Sequence, residues 1–447
     1  MDAHALRQTV AGLMPGLRAD LERLVRLPSV AFEGFPEGPL QQAGAVVAEL
    51  LKQAGLPEVR MIDIARAPQA VFAARPAQPG APTVLLYAHY DVQPAGPAEA
   101  WTSRPFEPTE RAGRLYGRGA ADDKSGIIMH VGALTALGAD CPVGIKVLIE
   151  GQEECGDGGI EEFVKANAEL LKADAIVIAD VGNYSLGVPT LTTSLRGMAA
   201  LDVEVEALEG AVHSGMFGGP APDALIALTR MIATLHDADG TVAVKGLDVV
   251  AYDGADYDEA AFRTDAGVLP GVDLLGAGSI ADRLYGRPAI NVIGIDAPAV
   301  DGAANALIPK ARARVSVRLA PGQDPLEAQH IVAEHLEAVA PWRVKVKVTP
   351  GGVGEGFLAT TDGPTYAAAT DALAAAFQRD VVRYGDGASI PLVAAFLAAQ
   401  PTAEMILWGC EEPQCKIHAP NESVDLAEVE RMTLAEALFI AGLAEKK

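Results

Sequence analysis

The spacing of apolar residues changes twice along this chain of 447 residues, near residues 193 and 355. Before the first change, amphipathic helical segments alternate with apolar runs such as PTVLLYAH and VGIKVLIEG, which are typical of buried strands. Strands separated by helices predict an α/β domain with a central mixed, largely parallel sheet flanked by helices. Between the two changes, segments such as MAALDVEVEA and RARVSVRLAP alternate apolar and polar residues with period 2. This alternation predicts strands of a sheet with one face in water.

The order of elements between the two changes is strand, helix, strand, strand, helix, strand, as in a ferredoxin-like unit. The helix-and-strand pattern then returns and continues to the end of the chain. We therefore predict an α/β domain made of residues 1–192 and 356–447, with an α+β domain of residues 193–355 inserted in it. A chain of this length exceeds what one hydrophobic core supports. The insertion predicts a cleft, where ligands prefer to bind.

Charge and composition exclude several kinds of partner. The chain has 35 basic and 59 acidic side chains, a formal net charge of −24, which repels phosphate backbones and anionic membranes. No apolar run reaches the length of a membrane span, and the first residues lack the features of a signal peptide. Four cysteines in so long a chain predict a reducing, cytoplasmic location. Cys410 and Cys415 have no second cysteine pair nearby, so we predict no thiolate metal site there.

Polar side chains suited to metal binding stand at the ends of successive apolar runs. The carboxyl ends of parallel strands meet at one edge of a sheet, so these groups could converge. Taken singly, each has a plainer explanation, since acidic pairs complement helix N-termini and an aspartate can form a turn. Their joint occurrence favours a metal site. The candidates are His89, Asp91, Asp122, Asp123, Glu153, Glu154, Asp180 and His418.

The chemistry of this set suits two divalent cations held close together. Imidazoles and carboxylates without thiolates favour zinc, cobalt or manganese. Two such ions, about 3.5–4 Å apart, need a bridging carboxylate and can share a water whose proton is easier to remove. One carboxylate must stay off the metals to take that proton. Adjacent Glu153 and Glu154 could divide the roles of base and ligand, and Asp91 could fix the tautomer of a ligating His89.

With these residues identified, the sequence resembles the M20 family of cocatalytic metallopeptidases, and within it the carnosine-type dipeptidases. An aspartate at Asp180 and the spacing DVQPAG…W…PF are typical of the dipeptidase branch. The resembling blocks lie between about residues 85 and 422, in the family's order. They are AHYDVQPAGPAEAWTSRPF, RLYGRGAADDKSG, EGQEECGDGG, VHSGMFGG, ALIPKARARVSVRLAPGQDP, DGASIP and IHAPNES.

The resemblance implies a zinc-peptidase-like catalytic domain with two divalent metal ions per subunit, zinc foremost and cobalt or manganese as alternatives. Glu153 would be the general base and Asp91 the support of a ligating histidine. A cis peptide bond is expected after the bridging aspartate. The implied metal ligands are Asp122 as the bridge, His89 and Asp180 on one ion, and Glu154 and His418 on the other.

Three further positions follow from shorter blocks of the resemblance. His213 matches a histidine of the inserted lid domain that reaches across a homodimer interface to the reacting carbonyl. Arg318 matches the lid arginine that holds the substrate carboxylate, and Ser389 lies in the matching substrate loop. Ala388 stands where a second glycine is usual. Its methyl group would narrow the pocket, which leaves the exact substrate open.

The expected function is therefore that of a cytoplasmic, homodimeric metallohydrolase. It would cleave dipeptides or similar short amides that have a free C-terminal carboxylate, using a metal-bridging hydroxide with Glu153 as base. An N-acyl amino acid amidohydrolase of the same fold is the first alternative, and a catalytically silent binding protein is a remote one. The sequence contains neither the motif of a serine hydrolase nor that of a dinucleotide enzyme. His130 matches no part of the pattern, and we predict a structural role for it.

Overall fold

The computed structural model describes residues 3–156, 158–387 and 390–444. Contacts within the chain divide it into two compact units. Unit 1 consists of Met1–Thr193, Ala359–Tyr384 and Leu392–Lys447. Unit 2 consists of Ser194–Leu358 and Gly385–Pro391.

The described residues form helices and strands in both units. The helices are α1 (Ala3–Val25), α2 (Gly38–Gln53), α3 (Lys124–Leu137), α4 (Gly159–Ala166), α5 (Ala168–Leu171), α6 (Ser214–Phe217), α7 (Ala224–Ala233), α8 (Glu259–Asp265), α9 (Pro325–Ala338), α10 (Pro364–Phe377), α11 (Pro391–Ala399) and α12 (Leu426–Leu443). The strands are β1 (Glu58–Ile62), β2 (Ala70–Arg75), β3 (Thr83–His89), β4 (Thr109–Arg111), β5 (Arg114–Tyr116), β6 (Gly144–Glu150), β7 (Ala175–Ile178), β8 (Thr190–Leu195), β9 (Gly197–Glu206), β10 (Val212–His213), β11 (Ala289–Asp296), β12 (Ala306–Leu307), β13 (Lys310–Leu319), β14 (Lys345–Gly354), β15 (Phe357–Leu358), β16 (Val382–Asp386), β17 (Glu404–Leu407) and β18 (Ser423–Asp425).

The main sheet of unit 1 has a parallel centre. Its strands run in the order β1-β2-β6-β3-β7-β17-β8. The pairs β6/β3, β3/β7 and β7/β17 are parallel, whereas β1/β2, β2/β6 and β17/β8 are antiparallel. Strands β3 and β7 are buried along almost their whole length, as expected for strands covered on both faces. The predicted mixed sheet, largely parallel at its centre, is confirmed.

Helices supply the rest of the core of unit 1. Helix α3 is buried on nearly every side and packs against α1, α12 and β3. Asp425 is the N-cap of helix α12, and its carboxylate accepts hydrogen bonds from the backbone N–H groups of Ala427 and Glu428 at 2.9 and 3.1 Å. An aspartate at this position satisfies two N–H groups that would otherwise lack partners. Among the described residues, none of the helices combines the length and the apolar character needed to cross a membrane.

Unit 2 contains the predicted ferredoxin-like fold. Four antiparallel strands have the order β11-β13-β9-β14. Helices α7 and α9 pack against β9, with α7 also contacting β13 and α9 contacting β14. In β9 and β13 every second residue is buried, which is the period-2 pattern of the sequence. Both helices begin with an aspartate N-cap, Asp223 and Asp324. The loop-rich stretch between α7 and β11 contains α8.

A buried ion pair joins α3 to α12. The Nδ1 of His130 lies 2.8 Å from Oε1 of Glu436, and its Nε2 lies 3.0 Å from the backbone oxygen of Tyr87. Both ring nitrogens therefore face acceptors, which suits an imidazolium that donates twice. Burial disfavours this charge, but the attraction of Glu436 outweighs it and raises the pKa of His130 above its ordinary value.

Replacing His130 with leucine should destabilise the protein, because the buried carboxylate of Glu436 would lose its partner. Removing one member of a buried pair typically costs about 3–5 kcal/mol in the free energy of unfolding. Adding Glu436→Leu should recover most of that loss. Chemical denaturation of both variants tests this, and equal losses in the single and double variants would contradict it.

The stability that this pair provides should also depend on pH. The pKa of His130 is raised in the folded state, so the contribution is complete below the free imidazole value of about 6.5. It is lost as the pH rises through the raised value. The difference in free energy of unfolding between the wild type and the double variant, measured against pH, reports that loss.

Candidate metal centre

Potential metal donors gather at the carboxyl edge of the parallel strands of unit 1. Strand β3 ends at His89, and Asp91 follows it. The loops after β6 and β7 carry Glu153, Glu154 and Asp180. These loops leave the sheet at one edge because the strands are parallel, and ligand sites form at that edge in α/β folds. Two more donors come from other segments. They are Asp122, just before α3, and His418, in the loop between β17 and β18.

The carboxylate of Asp122 lies between two histidines. Its Oδ1 is 3.0 Å from Nε2 of His89, and its Oδ2 is 2.9 Å from Nε2 of His418. Nε2 of His89 is also 3.5 Å from Oδ1 of Asp180, and Nε2 of His418 is 3.1 Å from Oε2 of Glu154. The residues thus form two donor groups that share one carboxylate, with one imidazole in each.

Asp91 contacts the ring of His89 at Nδ1, the nitrogen opposite the donor groups. This Nδ1 lies 3.2 Å from the backbone oxygen of Asp91 and 3.3 Å from Oδ1 of the same residue. Oδ2 of Asp91 accepts a hydrogen bond from the backbone N–H of Glu154 at 3.1 Å. With Nδ1 engaged in this way, Nε2 is the nitrogen that faces the shared carboxylate. Such a partner fixes the tautomer and the orientation of a ligating histidine.

The loop that carries Asp122 is fixed by one buried glutamate. The carboxylate of Glu422 accepts hydrogen bonds from the backbone N–H groups of Gly119, Ala121 and Asp122, at 3.0, 3.0 and 3.2 Å. Arg118 donates to the same carboxylate at 2.6 Å. These contacts position the shared carboxylate without taking either of its own oxygens. The peptide bond that follows Asp122 is cis, as the resemblance implies.

The charges of the two donor groups favour the binding of a cation between their side chains. Hydrogen bonds to Asp122 and Glu154 raise the pKa of His418 to about 10. Burial opposes ionisation of Asp122, but hydrogen bonds from His418 and His89 hold its pKa below the ordinary value. Burial raises the pKa of Asp180 to about 6. Carboxylates that need a cationic partner, together with imidazoles and without a thiolate, fit divalent transition-metal ions.

The two adjacent glutamates lie in different surroundings. Glu154 is held by Gln93, whose backbone N–H donates to Oε1 at 2.9 Å and whose Nε2 donates to Oε2 at 2.8 Å. It belongs to the donor group of His418. Among the described residues, Glu153 belongs to no group of three donors within metal-binding range. Burial, and next the charge of Asp180, raise the pKa of Glu153 well above its ordinary value, so its carboxylate accepts a proton readily.

His213 lies in unit 2, at the end of a short strand. It is exposed, and its Nδ1 accepts a hydrogen bond from the backbone N–H of Gly215 at 3.1 Å. In the neutral ring the proton is then on Nε2, which is left as a donor. Ser389 and Ala388, from the predicted substrate loop, lie outside the described residues.

Arg318 also lies in unit 2, on β13, where it pairs in register with Met198 and Ala289. A second arginine, Arg196, is close enough to interact with it. Burial, and next the charge of Arg318, lower the pKa of Arg196 to about 10. Two neighbouring guanidinium groups attract a carboxylate more strongly than one. The sequence analysis did not identify Arg196, because no motif there marks it.

Sequence reasoning also missed two residues of unit 1 beside the donors. Gln93 could have been noticed in the block HYDVQ, but nothing in its spacing predicts a contact with Glu154. Glu411 follows β17 as the other candidate donors follow their strands, and this position could have marked it as a candidate donor.

This chain is similar to known proteins along most of its length. A model of peptidase family M20/M25/M40 matches residues 85–441. The cysteinylglycine-S-conjugate dipeptidase of Corynebacterium striatum is 44% identical over 369 residues, covering 80% of this chain and 81% of that protein. The Cys-Gly metallodipeptidase dug1 of Schizosaccharomyces pombe is 31% identical over 350 residues, covering 71% and 72%.

A solved structure shows the same fold. The crystal structure of human carnosine dipeptidase 1 matches with a TM-score of 0.81 and 26% sequence identity, over 99% of both chains. The predicted resemblance to M20 dipeptidases is therefore confirmed by a family model, by two relatives and by a structural neighbour. Members of this family bind divalent metals, and the imidazoles and carboxylates around Asp122 suit that chemistry. This chain belongs to peptidase family M20/M25/M40 and is a hydrolase.

Proposed function

We propose that this protein is a dipeptidase that uses two divalent metal ions to hydrolyse the amide bond next to a free C-terminal carboxylate. The observation that carries the proposal is the placement of Asp122 between His89 and His418, with each carboxylate oxygen near a different imidazole. A carboxylate shared in this way is what a two-metal site needs as its bridge. The similarity to dipeptidases of the same family supports the reaction.

Five residues would hold the ions, which we propose to be zinc, with cobalt or manganese as alternatives. When bound, two such ions would polarise the scissile carbonyl and make the attacking water easier to deprotonate. Asp91 keeps the ring of His89 oriented through the contacts of 3.2 and 3.3 Å described above. The proposed ligands are His89, Asp180 and Asp122 for one ion, and Glu154, His418 and Asp122 for the other.

Glu153 is the proposed general base. It takes a proton from the attacking water and passes it to the nitrogen of the leaving amine, so that the same carboxyl serves both steps. Two features support this role: it stands outside the donor groups, and its pKa is raised by burial and by Asp180. A base with a raised pKa removes a proton more effectively at neutral pH.

Recognition of the substrate is assigned to unit 2. Arg318, beside Arg196, is proposed to bind the substrate's C-terminal carboxylate, and Ser389 to contribute from its loop. The exposed Nε2 of His213 is proposed to stabilise the oxyanion from the partner subunit of a homodimer. Several large apolar side chains of unit 2 are exposed, which supports an interface on this unit. They include Met216, Phe217, Ile226, Ile293 and Ile295.

The relatives favour small dipeptides as substrates. The C. striatum protein is described as acting on cysteinylglycine S-conjugates and the S. pombe protein on Cys-Gly. We propose Cys-Gly and its S-conjugates as the first substrates to examine here, because the former relative is the more similar. A cytoplasmic location is part of the proposal, supported by four free cysteines, which suit a reducing compartment.

A substrate panel tests this function. Protein reconstituted with zinc, cobalt or manganese should hydrolyse Cys-Gly, an S-alkyl Cys-Gly or β-Ala-His much faster than N-acetyl or N-succinyl amino acids. Amidating the C-terminus of the best dipeptide should abolish turnover, because Arg318 would lose its charged partner. Preference for the N-acyl amino acids would instead identify an amidohydrolase. No hydrolysis of either class by metal-loaded protein would favour a binding protein.

A further inference from the structure

A third carboxylate lies beside the donor group of His89. Glu411 follows β17, and one of its oxygens is within 4.8 Å of an oxygen of Asp122 and an oxygen of Asp180. Two oxygens on one metal ion, each about 2.1 Å from it, are at most about 4.2 Å apart. A small side-chain movement would therefore bring all three onto one ion. Glu411 has none of the roles assigned above.

Glu411 is buried, and one of its carboxylate oxygens is unsatisfied. The residue is only 6% exposed, and among the described residues its Oε1 has no hydrogen-bond partner. Burial, and next the charges of Asp122 and Asp180, raise its pKa well above the ordinary value. The nearby Asp123 also has one oxygen, Oδ1, without a hydrogen-bond partner among the described residues, and it lies within metal-binding range of His89 and Asp180. Its Oδ2, however, accepts a hydrogen bond from the backbone N–H of His89 at 3.2 Å. A bound cation would supply the partner that Oε1 of Glu411 lacks among the described residues.

The backbone of Glu411 is fixed on both sides, so the carboxylate does not approach Asp180 by chance. Its carbonyl accepts a hydrogen bond from the N–H of Asn183 at 2.7 Å, and it forms a parallel bridge with Gly182. At Gly409, two residues earlier, a Cβ would lie 2.3 Å from the backbone oxygen of Val181. Glycine is required for that close approach. The loop after β17 is thus held tightly against the loop that carries Asp180.

We infer that Glu411 is an additional donor to the metal ion that His89 and Asp180 would hold. This inference rests on the proposed two-metal function. It makes the two positions unequal, with three carboxylates and one imidazole around the first ion and two carboxylates and one imidazole around the second. Oxygen-rich sites of higher coordination number suit manganese better than zinc. The first position therefore favours Mn²⁺ relative to the second.

Metal binding by Glu411→Gln tests the inference without relying on catalysis. Metal-free protein is titrated with Mn²⁺, and free Mn²⁺ is followed by its electron paramagnetic resonance signal. The wild type should bind two equivalents. Glu411→Gln should bind one of them at least about 10-fold more weakly, since even outer residues of a metal site change affinity by about 10–100-fold. Competition with Zn²⁺ should show a smaller loss for zinc at that position.

Glu412→Gln is the matched control. Glu412 is the next residue and is similarly buried, at 5% exposure, but its carboxylate is paired with Arg114 at 2.6 Å. The control removes one buried negative charge from the same loop and should leave both Mn²⁺ affinities unchanged. Thermal unfolding of the metal-free variants shows whether each one folds.

A second measurement does not depend on any variant. In crystals of the wild type soaked with Mn²⁺, the Glu411 carboxylate should lie about 2.1–2.4 Å from the ion beside Asp180, as in other sites of hard cations. A separation beyond about 3 Å, or two wild-type affinities in a folded Glu411→Gln protein, would overturn the inference and leave the two-metal proposal standing. Wild-type protein that binds no Mn²⁺ or Zn²⁺ would overturn both.

Discussion

Replacing Glu153 with alanine should lower the turnover number for a dipeptide by about 10²–10⁴-fold, the usual contribution of a positioned base. Two metal ions per subunit should stay bound, because Glu153 lies outside the donor groups found among the described residues. The pKa of Glu153 is raised by burial and by Asp180, so its carboxylate is suited to hold the proton between the two steps. The measurement is kcat in excess metal, together with metal content per subunit.

Glu154→Ala is the informative comparison, because the two glutamates are neighbours in sequence and differ in their contacts. Oε2 of Glu154 lies 3.1 Å from Nε2 of His418, in the second donor group. This variant should lose metal as well as turnover, and excess metal should restore part of its activity. If Glu153→Ala emptied the site and Glu154→Ala did not, the two roles would have to be exchanged.

Patterns of apolar residues predicted the layers of this fold but not which strands pair with each other. The apolar runs PTVLLYAH and VGIKVLIEG predicted the buried strands β3 and β6, because strands covered on both faces must be apolar along their length. The same pattern does not predict that β17, from the last quarter of the chain, pairs with β7. It also does not predict that β2 pairs antiparallel with β6. Strand order depends on long-range pairing, which a local period does not record.

The candidate site shows the same division between local and long-range information. His89 and Asp180 stand at strand ends, and sites form at the carboxyl ends of parallel strands, so the local pattern alone indicates that the two could converge. The role of Glu422 can be recognised only in the folded structure. Its partners Gly119 and Ala121 are separated from it by 303 and 301 residues in the sequence. Glu411 combines the two cases. It has the local signal of a strand end, but only the structure shows its unpaired oxygen near Asp180.

His213→Ala should reduce turnover by about 10²–10³-fold, the usual effect of removing one donor to the oxyanion. The hydrogen bond from the Gly215 N–H to Nδ1 leaves the proton of the neutral ring on Nε2. A histidine held in that tautomer can donate to a developing negative charge without first taking up a proton. Metal content should be unchanged in this variant, because His213 belongs to unit 2 and to neither donor group.

Mixing two inactive variants tests whether His213 serves the partner's site. In a heterodimer of Glu153→Ala and His213→Ala subunits, the His213→Ala chain keeps its own Glu153 and receives His213 from its partner. The other site lacks both groups. If the histidine acts across the interface, each heterodimer should therefore recover close to half of the wild-type activity. If it acts within its own chain, each site of the heterodimer lacks one group, and activity should stay at the level of the separate variants. Tagged subunits show that exchange has occurred, so unchanged activity after proven exchange would exclude the shared site.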